Sequence, residues 1–247
     1  MFVLRYVITV LNAKWPKVLA HNRHTCCLIQ CNQRNDMKRL QYITLILATA
    51  VLFSACVKNE YYNTNPTTPV GYQNIFDDNF DADAYNWSFA DPSNDAYVKV
   101  ANGQLKYVYN PDNDGTNTVA INTGLNVNRN FLIQTRIQSN YAMGLVFGVS
   151  NNDYGYSLFL DDQGYFALYK EGNANTGVKT LLDWQYNSAI VNGWNNIEFE
   201  QDGGYWIGYV NGVKLFEIAA QNLNGSKVGY IVMAGTTGYA DYMTVQW

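Results

Sequence analysis

Beyond Cys56 the 247-residue chain has no cysteine and no histidine, and it is short of positive charge. All 4 cysteines and both histidines fall in the first 56 residues. Residues 57–247 therefore hold no Ser-His-Asp triad, no thiol nucleophile and no zinc site built from His or Cys. The same stretch has 9 Lys plus Arg against 19 Asp plus Glu, a net charge of 10 negative. Nucleic-acid binding needs clustered positive charge, so that balance argues against such a partner. A small secreted scaffold usually leans on disulfides, but a domain of this length can bury an adequate core without them.

What is present begins with "MKRLQYITLILATAVLFSACVKNE", starting at residue 37. Two basic residues, an apolar run from Ile43 to Phe53 and the small pair Ser54 and Ala55 satisfy the three parts of a secretory signal. The run is shorter than the roughly 20 apolar residues of a membrane-spanning helix. "FSAC" resembles the lipobox of bacterial lipoproteins, in which the cysteine is lipidated and becomes the new N-terminus. The resemblance implies lipidation at Cys56 and a membrane anchor made by acyl chains. Residues 1–36 are read as an unstructured gene-start artefact, with translation starting at Met37. Their His21, His24, Cys26, Cys27 and Cys31 follow none of the usual zinc spacings. Residues 37–55 are then the signal peptide and 56–72 a tether, "VKNEYYNTNPTTPVGY" after the cysteine, kept extended by Pro66 and Pro69. Val57 is not the Asp that retains some lipoproteins at the inner membrane, so the expected location is the outer membrane or cell surface.

Past the tether, short segments rich in Val, Ile, Tyr, Phe and Trp alternate with Gly, Asn and Asp clusters, with period-two patterning and no helical spacing. Eleven strands are predicted: "AYVKV", "GQLKYVY", "FLIQTRIQ", "MGLVFGVS", "YSLFLD", "GYFALYKE", "NNIEFEQ", "YWIGYVN", "VKLFEIA", "KVGYIVMAG" and "YMTVQW". Hairpin turns are expected at "DDQG", "DGG" and the Asn211-Gly212 pair. The fold class is all-β, a two-sheet antiparallel β-sandwich over residues 73–247.

"GWNNIEFEQDGGYWIGYVNGVKLFE", with the opening "IFDDNFDADAYNWSF" and the closing "GYADYMTVQW", resembles the concanavalin A-like lectin/glucanase superfamily, in particular its laminin G-like jelly rolls. That resemblance implies that the first and last strands lie together. It specifies fold better than function, because the jelly roll carries lectins, glycosidases, adhesion modules and spacers.

Three sets of residues are candidates for chemistry. Glu198, Glu200 and Asp202 in "EFEQD" share one strand face, as carboxylates of a glycoside hydrolase would. In the opposing reading this is a solvated face, with Ile197 and Phe199 turned to the core. Asp77, Asp78, Asp81 and Asp83 near the first strand and Asp241 on the last are calcium candidates, Asp78 and Asp241 foremost, for a structural ion without a calcium-loop spacing. Finally, Tyr165, Tyr169, Tyr205 and Tyr209 alternate with core residues on their strands. An aromatic ring with a polar tip suits the apolar face and hydroxyl rim of a sugar; strand pairing alone would also account for them. The expected function is non-catalytic binding of a polysaccharide or other glycan by a lipid-anchored surface protein. The alternatives are a structural or adhesive protein-interaction module of a surface assembly, and a hydrolase using Glu198 and Glu200.

Overall fold

A computed structural model describes residues 71–152, 154–172 and 177–247. The signal peptide, Cys56 and the tether as far as residue 70 lie outside the described residues. Within them there are fifteen strands and no helix. In chain order these are β1 (Asn74–Asp78), β2 (Phe89–Ala90), β3 (Ala96–Ala101), β4 (Gln104–Tyr109), β5 (Thr116–Asn122), β6 (Phe131–Ser139), β7 (Ala142–Val149), β8 (Tyr156–Asp161), β9 (Tyr165–Lys170), β10 (Lys179–Tyr186), β11 (Asn195–Asp202), β12 (Tyr205–Val210), β13 (Val213–Ala219), β14 (Lys227–Met233) and β15 (Thr236–Gln246). Nine form one sheet in the order β13-β12-β11-β6-β15-β4-β3-β2, with β1 also paired to β15; six form the other in the order β10-β9-β8-β7-β14-β5. Every pairing is antiparallel, and the chain is a two-sheet β-sandwich.

Local chemistry explains the hairpins. Asn211 and Gly212 both take positive φ, 50° and 78°, which lets a two-residue turn match the twist of β12 and β13. The Gly203-Gly204 and Asp162-Gln163-Gly164 turns likewise stand where the turn residues predicted them. The first and last strands do pair, Asp78 opposite Met243 and Phe76 opposite Val245.

Alternation then builds the core. Phe147 and Tyr156 project from the six-stranded sheet onto Phe199 and Trp206 of the other. Phe147 and Phe199 have ring centroids 4.0 Å apart, and Tyr156 meets Trp206 edge-on at 4.6 Å. Phe166 of β9 stacks on Phe216 of β13 at 6.0 Å, so these two strands face each other across the sandwich. Gly208 of β12 makes room for that contact, since a Cβ there would run into the Phe216 ring. All of these side chains belong to one buried cluster spanning both sheets. Such rings pack edge-on or offset, which adds to the gain from burying their area.

Three strands escape the sequence reading, β2, β5 and β10, while β1 is expected from the resemblance alone. β2 has only two residues. β5 and β10 are the edges of the six-stranded sheet, where one-sided pairing leaves Thr, Asn and charged residues exposed and blurs the apolar alternation.

Candidate functional site

The four tyrosines do not form one surface. Tyr165 and Tyr169 lie on β9 of the six-stranded sheet, whereas Tyr205 and Tyr209 lie on β12 of the nine-stranded sheet. Their strand neighbours Phe166, Leu168, Trp206 and Val210 all point into the shared core. The two tyrosine pairs therefore face away from each other, on opposite outer surfaces. Alternation assigns the outward face correctly; which sheet a strand joins depends on pairings remote in sequence.

On the six-stranded sheet the outer face gathers more rings than the sequence reading named. β10 adds Trp184 and Tyr186. Tyr186 pairs with Tyr165 across the strands, ring centroids 5.6 Å apart, and the two are 63% and 40% exposed. Further along, Tyr169 and Trp184 lie 6.1 and 6.3 Å from the buried Phe159 ring of β8, which forms a floor beneath them. Phe159 belongs to a second apolar cluster on this face with Ala142, Val146, Val149 and Ile231. Tyr165 and Tyr169 are four residues apart, which sets the length of the strip at about 13 Å.

Polar groups border the strip. The hydroxyl of Ser157, a fully buried residue on β8 directly opposite Tyr169, donates to Glu171 Oε1 just beyond the end of β9. Burial raises the Glu171 carboxyl above its ordinary value, and the Ser157 hydrogen bond opposes that shift. The Tyr169 phenol is also raised, first by burial and then by the nearby Asp183 and Glu171 charges. At the other end Asp161 Oδ1 accepts from the backbone N–H groups of Gln163 and Tyr165, at 2.9 and 2.7 Å, and fixes the turn that presents Tyr165. A shallow, solvent-open depression beside that turn, lined by Gln138, Ser139, Asp161, Asp162 and Asn195 among others, is far smaller than the roughly 300–1,000 Å³ typical of small-molecule pockets.

On the outer face of the nine-stranded sheet, Glu198 and Glu200 do point away from the core, while Ile197 and Phe199 are fully buried. Glu198 stands opposite Tyr209 and accepts a hydrogen bond from Gln134 Nε2 at 3.2 Å. Glu200 accepts one from the Tyr72 hydroxyl at 3.3 Å, so the end of the tether reaches across this face. Burial and then the Asp202 charge raise the Glu200 carboxyl. Burial and the Glu200 and Asp202 charges push the Tyr72 phenol up to about 12.

The calcium candidates are engaged elsewhere. Buried Asp78 accepts from the Phe80 backbone N–H at 2.9 Å and from Trp87 Nε1 at 2.8 Å. Asp83 accepts from the Trp87 and Ser88 backbone N–H groups, and Asp241 forms a 3.0 Å ion pair with Arg136. Among the described residues no group of three or more His, Cys, Asp or Glu side chains is placed to hold a metal ion.

The fold and its two outward faces define a jelly-roll-type β-sandwich domain with an aromatic strip on one sheet. The chain matches no family model and no curated protein. It is similar to several solved structures. One is a carbohydrate-binding module of Bacillus subtilis, at 12% identity over 69% of this chain and 92% of that one, TM-score 0.41. Another is the CBM2 module of the evolved Dit protein of Lactobacillus casei BL23 phage J-1, at 12% identity over 71% and 96%, TM-score 0.48. A third is SCLam, a non-specific endo-β-1,3(4)-glucanase of family GH16, at 11% identity over 74% and 93%, TM-score 0.48. Likeness at this level transfers neither residues nor ligands.

Proposed function

We propose that this domain is a non-catalytic glycan binder, carried on the outer membrane or cell surface by a lipid anchor at Cys56, and that the β9–β10 strip is its binding face. The observation that carries the reading is the convergence of Tyr165, Tyr169, Trp184 and Tyr186 on one outer face beside the Ser157–Glu171 pair. Rings answer the C–H faces of sugars, and carboxylate oxygens answer their hydroxyls. The strip is long and shallow, a shape that suits a chain lying along the sheet. Non-catalysis is supported by the surroundings of Glu198 and Glu200, which are engaged by Gln134 and Tyr72 and lie on the opposite sheet from the strip.

The assembly-module reading is favoured by a different observation. β5 is an edge strand with no charged residue, and its seven-residue register with β14 has no bulge, so nothing on it discourages a further strand from pairing.

Binding of the full chain, purified in detergent, to a glycan array separates the two. Trp184→Ala and Tyr169→Ala are expected to cost about 2 kcal/mol or more in affinity if these rings are binding hot spots. Tyr209→Ala, on the other sheet, is expected to leave affinity at the parent value. Equal losses from Tyr169→Ala and Tyr209→Ala would sink the assignment of the face, and no binding by the parent would move the reading to the assembly module.

A further inference from the structure

The charge around the strip is one-sided. On β8 and β9 the outward positions alternate Ser157, Phe159, Asp161 and Tyr165, Ala167, Tyr169, and Glu171 continues the second series. Asp183 adds its charge beside Tyr169. Lys170 and Lys179, the basic residues of β9 and β10, pair with each other on the alternate positions, and Lys170 Nζ lies 5.7 Å over the ring of the core residue Tyr156. Lys227 has outward parity but stands on β14, three strands from β9, about 14 Å at the usual strand spacing. Arg129 and Arg136 are elsewhere, over Trp247 and Trp194. Among the described residues no cation is therefore placed to meet a uronate or sulfate group on the strip, and three carboxylates are placed to repel one.

Glu171 also has a more specific place. Ser157 occupies its Oε1, which fixes the carboxyl beside Tyr169, and among the described residues no group donates to Oε2, whose lone pairs are those that a ligand O–H or N–H needs. A ring and an anchored acceptor on the same face fit a sugar that stacks and donates.

Resting on the glycan reading, we infer that the strip selects glycans without anionic groups, neutral or amine-bearing, and that Glu171 sets this selectivity by accepting from the bound sugar and repelling carboxylates and sulfates. Repulsion of a wrong ligand contributes to specificity as much as attraction of the right one.

The test is binding of the full chain, purified in detergent, to three immobilised polymers: a neutral β-glucan, a glucosamine polymer and a polyuronate. At low salt the parent is expected to bind the neutral or the amine polymer at least tenfold more tightly than the polyuronate, and the gap should narrow as salt screens the charges. Glu171→Ala should weaken the favoured polymer about 10- to 100-fold, the usual range for losing a hydrogen bond to a charged group. Glu171→Gln keeps one acceptor oxygen, which can face the sugar while the Ser157 hydroxyl turns to accept from the new amide N–H, so it should retain that binding within a few-fold while its discrimination against the polyuronate falls. Should Glu171→Ala fail to fold, as judged by melting, the glutamine variant carries the test alone. A parent that binds polyuronate as tightly as the neutral or amine polymer overturns the selectivity and leaves glycan binding standing. Unchanged discrimination in Glu171→Gln removes Glu171 from the role. Binding of none of the three overturns both the selectivity and the glycan reading.

Discussion

At the scale of single residues, the carboxylates divide by what surrounds them. Asp78 is buried and engaged by an indole and a backbone N–H, which is structural work that its position in an Asp-rich segment did not reveal. Glu200 is the informative case for pH. Its folded pKa is raised, chiefly by burial, so the fold favours the protonated form. The stability this contributes is fully present below the unfolded value of about 4.3 and is lost as pH rises through the folded value. Glu200→Gln cannot ionise, and its amide oxygen can still accept from Tyr72. The melting temperature of the variant relative to the parent should therefore climb as pH rises above that unfolded value, then level off. Thermal melts across this range check the sign; a difference independent of pH would mean that Glu200 ionises in the fold as freely as in the unfolded chain.

At the scale of elements, central strands were legible, whereas of the edge strands β13 was legible, after its Asn-Gly turn, and β2, β5 and β10 were not. Strands such as β7 and β8, flanked on both sides, carry near-continuous apolar runs. In β10 two register shifts against β9 break the period of two, and Trp184 and Tyr186 went unread with it. Those are half of the aromatic strip, so the site was only partly visible in the sequence. The β11–β12 hairpin offers a contrast between its two faces. Phe199 is fully buried against Phe147 of the opposing sheet, whereas Tyr205 is 50% exposed. Phe199→Ala is expected to cost about 3–5 kcal/mol, as removal of a large core ring usually does. Tyr205→Ala should cost roughly 0.2–1 kcal/mol, the worth of a cross-strand pair. Urea unfolding separates them through the midpoint at constant m; equal losses would mean that the inter-sheet cluster does not hold the sandwich together.

At the scale of the whole molecule, sheet membership was the missing information. Each strand's outward face follows from its own residues, but that β9 faces β13 across the core, and that β12 lies in the other sheet, follows from pairings between segments far apart in sequence. The proposed placement of the chain in the cell rests on a local signal instead, residues 37–56, outside the described residues. If Cys56 carries the acyl chains, they are the anchor, and two or more chains are what stable attachment requires. Cys56→Ala should then leave the protein unprocessed or shift it from the membrane to the soluble fraction, with the β-sandwich intact by melting. If translation starts at Met37, a gene lacking the first 36 codons should give the same processed, membrane-bound product in the same amount. Fractionation of the three forms tests both ideas separately. Retention of a processed Cys56→Ala protein in the membrane would point to an anchor other than this cysteine, and loss of export on removing residues 1–36 would show that the upstream segment belongs to the signal.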